Sequence, residues 1–126
     1  MADLGFWPVR SRQPETIAIH GSFAPNGSSA VSAASNKGKG WTVARTGTGE
    51  FTITFSAAYP ELQSFNATLQ LATPDDKFVV AGSYSSSAKT IKVVVWDVSG
   101  AAATDVAADA NNRINFVATF RNTTGA

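Results

Sequence analysis

Residues 51–55, Phe51-Thr52-Ile53-Thr54-Phe55, alternate large apolar side chains with threonines. Successive side chains of an extended strand point to opposite faces. This period of two therefore reads as a strand with one buried face and one wet face. The same period recurs on both sides of the stretch. Upstream, residues 16–23 carry Ile17 and Ile19 on one side, and Trp41, Val43 and Arg45 alternate with Thr42 and Ala44. Downstream, Phe65, Ala67, Leu69 and Leu71 alternate with Asn66, Thr68 and Gln70. Residues 78–84 form a shorter, more apolar run. Residues 90–98 place Ile91, Val93 and Val95 inward and Val94 and Trp96 on the other face. Near the end, Ile114, Phe116, Ala118 and Phe120 alternate with Asn115, Val117 and Thr119.

About seven strands follow, rich in β-branched and aromatic residues. Turn chemistry separates them: Gly47-Thr48-Gly49, Tyr59-Pro60-Glu61, Thr73-Pro74-Asp75-Asp76, Ser85-Ser86-Ser87 and Ser99-Gly100. No segment has the 3.6-residue period of an amphipathic helix. The Ala-rich residues 101–110 allow one short helical turn at most. The expected fold is all-β, an antiparallel β-sandwich or jelly-roll-like domain. Two stretches break the pattern. Residues 1–14 (MADLGFWPVRSRQP) read as an extended N-terminal arm with Phe6, Trp7 and Val9 as its apolar groups. Residues 15–126 then form the single sandwich domain. Within it, residues 24–40 (APNGSSAVSAASNKGKG) read as a loop that is flexible or held by a partner.

Composition narrows the function. The chain of 126 residues has room for one core. Ten Lys and Arg offset nine Asp and Glu, which is not the clustered basic face of a nucleic-acid binder. Cysteine is absent and histidine occurs once, excluding thiol catalysis, cysteine-based zinc sites and multi-histidine metal sites. The longest apolar runs, such as residues 93–96, are far too short for a membrane helix. Residues 1–15 lack the apolar stretch of a signal peptide, so the expectation is a product made in the cytoplasm. Charged residues make up only 15% of the chain, against roughly 25% in an average domain. A surface so poor in charge suits a protein covered by neighbours.

Chemistry is hard to find. His20 sits on a predicted strand beside Gly21 and has no second titratable group at a useful spacing. Asp75 and Asp76 stand at a Pro-initiated turn, where Asp bonds its own backbone. Ser83, Ser85, Ser86 and Ser87 have no local base, and Gly38-Lys39-Gly40 lacks the context of a phosphate loop. Asp105, Asp109, Asn111 and Asn112 lack calcium-loop spacing and read as a polar loop. The expectation is no enzyme, no cofactor and no metal. Carbohydrate or receptor binding is the alternative, with Trp41, Trp96, Tyr59 and Tyr84 as candidate stacking rings. The strand at 90–97 (TIKVVVWD) carries apolar residues on both faces, so its outer face at Val94 and Trp96 should be covered by another subunit or by the arm. Val117 points the same way.

The segment from Gly40 to Asn122 resembles a family of small tailed-bacteriophage capsid decoration, or cement, proteins. The resemblance rests on three stretches in order: residues 41–55 (WTVARTGTGEFTITF), Tyr59-Pro60-Glu61-Leu62 with the strand from Ala67 to Leu71, and residues 107–116 (AADANNRINF) with Arg121-Asn122. None of these stretches is catalytic. The resemblance implies a β-tulip-like sandwich that assembles as a homotrimer. It implies a place on the outer surface of an expanded phage head, at three-fold and quasi-three-fold axes, with the major capsid protein as partner and neither nucleic acid nor membrane. Within that setting, Phe6, Trp7, Arg10 and Arg12 are the expected shell-binding residues, because aromatics and Arg usually carry interface energy. Val94, Trp96 and Arg113 are the expected trimer interface.

Overall fold

The computed structural model describes residues 16–121. The alternating stretches form the strands β1 (Thr16–Phe23), β2 (Trp41–Gly47), β3 (Glu50–Phe55), β4 (Glu61–Gln70), β5 (Lys77–Ser85), β6 (Thr90–Asp97), β7 (Ala102–Ala103) and β8 (Arg113–Arg121). All pairings are antiparallel. They build two sheets, one ordered β1-β8-β4 and the other β2-β3-β6-β5, with β7 added to β6. The protein is an all-β sandwich, as the period of two requires.

The core is the layer between the sheets. Phe51, Ile53 and Phe55 of β3 face Ile114, Phe116, Ala118 and Phe120 of β8, and all are buried. Ile91, Val93 and Val95 of β6 complete the layer. The ring of Phe120 packs edge-on against Phe55 at 4.7 Å and stacks on Tyr59 at 4.7 Å. At the other end of β1, Phe23 meets Trp41 and Phe51. Such tilted and edge-on pairs satisfy the ring quadrupoles as well as burying area.

Three local features refine the sequence reading. Residues 101–110 form no helical turn; Ala102 and Ala103 extend the sheet beside Trp96 and Asp97. Three strands carry register shifts, in β2 between Arg45 and Gly47, in β4 between Leu62 and Ser64 and in β5 between Ala81 and Tyr84. The loop 24–40 is tied down by its own domain. Ser22 and Lys37 form a backbone bridge, Ala33–Ser35 form a 3₁₀ turn, and Gly27 donates its N–H to the carbonyl of Val106. Pro25 is among the fully buried side chains.

Candidate functional site

Every large apolar side chain that stays exposed among the described residues lies on one face. These are Phe78 (44% exposed), Val80 (47%), Trp96 (37%) and Val98 (56%). The register explains the grouping. In β5 and β6, Phe78 stands directly opposite Trp96, and Val80 opposite Val94. Alternation sends Val79 inward with Val93 and Val95, so Phe78, Val80, Val94 and Trp96 project together from the outer face. Cross-strand partners of this kind lie about 5 Å apart at Cβ and form continuous rungs. Glu50 of β3 lies opposite Val94 and pairs with Lys92 at 3.4 Å, giving the patch a mixed-charge border on one side.

The end of the sandwich next to this face is acidic. Beyond the Phe78–Trp96 rung, Lys77 stands opposite Asp97, and alternation turns both toward the core side. There an open groove of about 460 Å³ carries Asp75, Asp97, Asp105 and Asp109 with Lys77. The Lys77 ammonium, helped by the Asp76 N–H, holds the Asp75 carboxyl down at about 2. The Ser99 hydroxyl holds Asp97 below its ordinary value, and the Arg45 guanidinium does the same for Asp105. These three carboxylates are therefore charged at neutral pH. Asp105 is fully engaged by Arg45 and by the Gly49 N–H. Asp76 accepts from the Ser99 N–H at 3.1 Å, directly beside Val98.

The expected trimer residues do not share one surface. Val94 and Trp96 lie on the outer face of β6. Arg113 opens β8 in the other sheet and points away from the core, like Asn115 and Val117. Its Nε donates to the Ser22 hydroxyl at 2.8 Å and its Nη2 to the carbonyl of Ser35, so it anchors the 24–40 loop. Val117 is half-buried on that same outer face. Phe6, Trp7, Arg10 and Arg12 lie outside the described residues. Phe78 and Val80 were missed by the sequence reading, because residues 78–81 are apolar on both faces and show no inside.

The other candidates have local roles. Trp41 is buried with its ring edge-on to Phe116 at 5.0 Å. Tyr84 packs on Phe55 and Phe120 and donates its hydroxyl to the carbonyl of Tyr59 at 2.9 Å. Of the four candidate stacking rings, only Trp96 remains exposed. His20 is exposed on the outer face of β1. Asp109 accepts from the Asn111 N–H, and Asn112 bonds Ala72 and Ala107, so this stretch is a polar loop. Among the described residues no group of three or more His, Asp or Glu could hold a metal ion. Among the described residues no helix is long and apolar enough to cross a membrane. No family model, no curated protein and no solved structure matches the chain.

Proposed function

We propose that this protein is a structural virion component: a homotrimer that decorates the outer surface of an expanded phage head at three-fold and quasi-three-fold positions and stabilises it. The observation that carries the reading is the outer face of β5 and β6. A sandwich strand needs one apolar face, and β6 has two. An apolar outer face rimmed by polar groups belongs in an interface. The family resemblance over Gly40 to Asn122 supplies the setting, and the low charge content fits a protein enclosed by neighbours.

The mechanism is burial rather than catalysis. A stable contact buries about 1,200–2,000 Å² in total. A trimer presents three copies of each shell contact, so modest contacts add by avidity. Bridging adjacent units of major capsid protein raises the barrier to rupture of the filled head. No bond is made or broken, and neither a cofactor nor an enzymatic step enters the reading.

The test is quantitative mass spectrometry of gradient-purified virions from the phage that encodes the chain. A copy number close to that of the major capsid protein is expected. A handful of copies would move the protein to the tail or portal, and absence from virions would overturn the reading.

A further inference from the structure

We propose that the outer face of β5 and β6 is the docking site for the N-terminal residues of a second copy of this chain, with Phe6, Trp7 and Val9 covering Phe78, Val80, Val94 and Trp96, and Arg10 and Arg12 meeting the acidic end of the sandwich next to it. Three observations select this occupant.

The first is complementarity in order. The sequence Phe6-Trp7-Pro8-Val9-Arg10-Ser11-Arg12 runs from apolar to cationic. The face runs from the Val80–Val94 and Phe78–Trp96 rungs to the end of the sandwich, where Asp76 accepts from the Ser99 N–H beside Val98 and the groove with Asp75, Asp97 and Lys77 opens between the sheets. An extended segment laid along it matches apolar to apolar and cation to carboxylate. The C-terminal residues 122–126 (NTTGA) lack the apolar groups to do the same.

The second is reach. The described chain starts at Thr16, opposite Arg121, at the end of the sandwich where Phe120, Tyr59 and Tyr84 pack. The Phe78–Trp96 rung lies in the other sheet and at the other end, beside Asp97. Trp7 precedes Thr16 by nine positions, about 30 Å of fully extended chain. Following the surface of its own copy costs about 20 Å along the strands and at least about 10 Å between the sheets, before rounding any side chain. The same copy's arm would arrive taut, with no slack to seat its aromatics. A neighbour's face carries no such restriction.

The third is closure. An arm of one copy on the face of the next is a heterologous contact, which closes into a ring when the rotation allows. That accounts for a trimer without a self-complementary patch. It also joins the arm residues and Val94 with Trp96 in one interface, and gives Phe6, Trp7, Arg10 and Arg12 the next copy rather than the shell as their partner. The trimeric count rests on the proposed function; the arm contact does not.

The absence of cysteine permits a direct test on purified full-length protein. Ser11→Cys and Val98→Cys place single thiols between the two arginines and at the acidic end of the face. A mixture of the two single variants, treated with a short bis-maleimide at low protein concentration, is expected to give two-chain products joined through positions 11 and 98. Val80→Asp, or Arg10→Ser with Arg12→Ser, should cut that product at least tenfold while the melting temperature holds. The inference is overturned if a chain carrying both Ser11→Cys and Val98→Cys yields only internally linked single chains, if 11–98 links do not form in the mixture, or if Val80→Asp leaves them unchanged. No shell is present in this assay, so its failure leaves the virion reading standing. Absence from virions with the cross-link intact sinks that reading alone.

Discussion

Arg45 and Asp105, 60 positions apart, meet in a two-pronged ion pair with Nε at 3.1 Å and Nη2 at 2.9 Å from the two carboxylate oxygens. The Gly49 N–H donates to the same carboxylate at 2.8 Å. The pair locks the β2–β3 hairpin to the segment that follows β7. Removing the carboxylate strands three donors at once. Asp105→Ala should cost about 1–2 kcal/mol and lower the melting temperature by about 5–10 °C. Thermal unfolding followed by circular dichroism checks this, and an unchanged melting temperature would show the clamp to be idle.

Gly49 has φ of +64°, and a Cβ there would sit 2.3 Å from the carbonyl oxygen of Thr104. Gly27 has nearly the same φ, +59°, with nothing within 4 Å of a Cβ. The two glycines separate backbone strain from collision. Gly27→Ala should cost about 1 kcal/mol, the strain alone. Gly49→Ala must also displace backbone and should cost at least about twice that. Equal losses in denaturant titrations of the two variants would contradict this account.

Acid should destabilise the fold over a defined range. Asp75, Asp97 and Asp105 all have carboxyls held below the ordinary 3.8, Asp75 at about 2 by Lys77. A carboxyl whose folded value lies below its unfolded value stabilises fully above the unfolded value. That contribution disappears as pH falls through the folded one. The denaturation midpoint should therefore hold above about pH 5 and fall between about pH 4 and pH 2. Asp75→Asn should flatten the lowest part of the fall. A midpoint independent of pH across this range would rule out the pairing as a source of stability.

Strand identity was legible where one face is polar. Thr52 and Thr54 against Phe51, Ile53 and Phe55 leave no doubt about which side is buried. The same rule is silent for residues 78–81, Phe78-Val79-Val80-Ala81, where both sides are apolar. It is then defeated at Tyr84, which shares the parity of Phe78 and Val80 yet packs into the core. The register shift between Ala81 and Tyr84 changes the side, and an extra residue in a strand leaves no mark on composition. Arg113 shows another limit. Its outward direction follows from alternation, but its sheet follows only from strand order. Arg45 shows the converse, an inward-parity arginine legible as a position and explained only by Asp105 arriving from far along the chain.

Core and face should respond oppositely to substitution. Phe120 is fully buried against Phe55, Tyr59 and Tyr84. Phe120→Ala leaves a cavity and should cost about 3–5 kcal/mol. Trp96→Ser, on the exposed rung opposite Phe78, should cost clearly less, about 1–2 kcal/mol in the isolated sandwich, because more than a third of the residue stays in water and no cavity is left. Urea titration of both variants in residues 15–126 alone measures this contrast. A Trp96→Ser loss as large as that of Phe120→Ala would make the face part of the core.

Deleting residues 2–14 separates folding from assembly. Among the described residues the core lies between Ile19 and Phe120, and the deletion removes none of these. The sandwich should keep its far-ultraviolet spectrum. Its exposed apolar face loses the segment proposed to cover it. Sedimentation equilibrium should then report single chains where the full-length protein reports trimers. Adding a peptide of residues 1–15 in excess should bind the truncated protein in a calorimetric titration, with the binding lost in the Val80→Asp variant. The binding should weaken as salt rises, because Arg10 and Arg12 face carboxylates. If the truncated chain remains a trimer at micromolar concentration, the arm is not what holds the copies together, and the β5–β6 face must pair by another route.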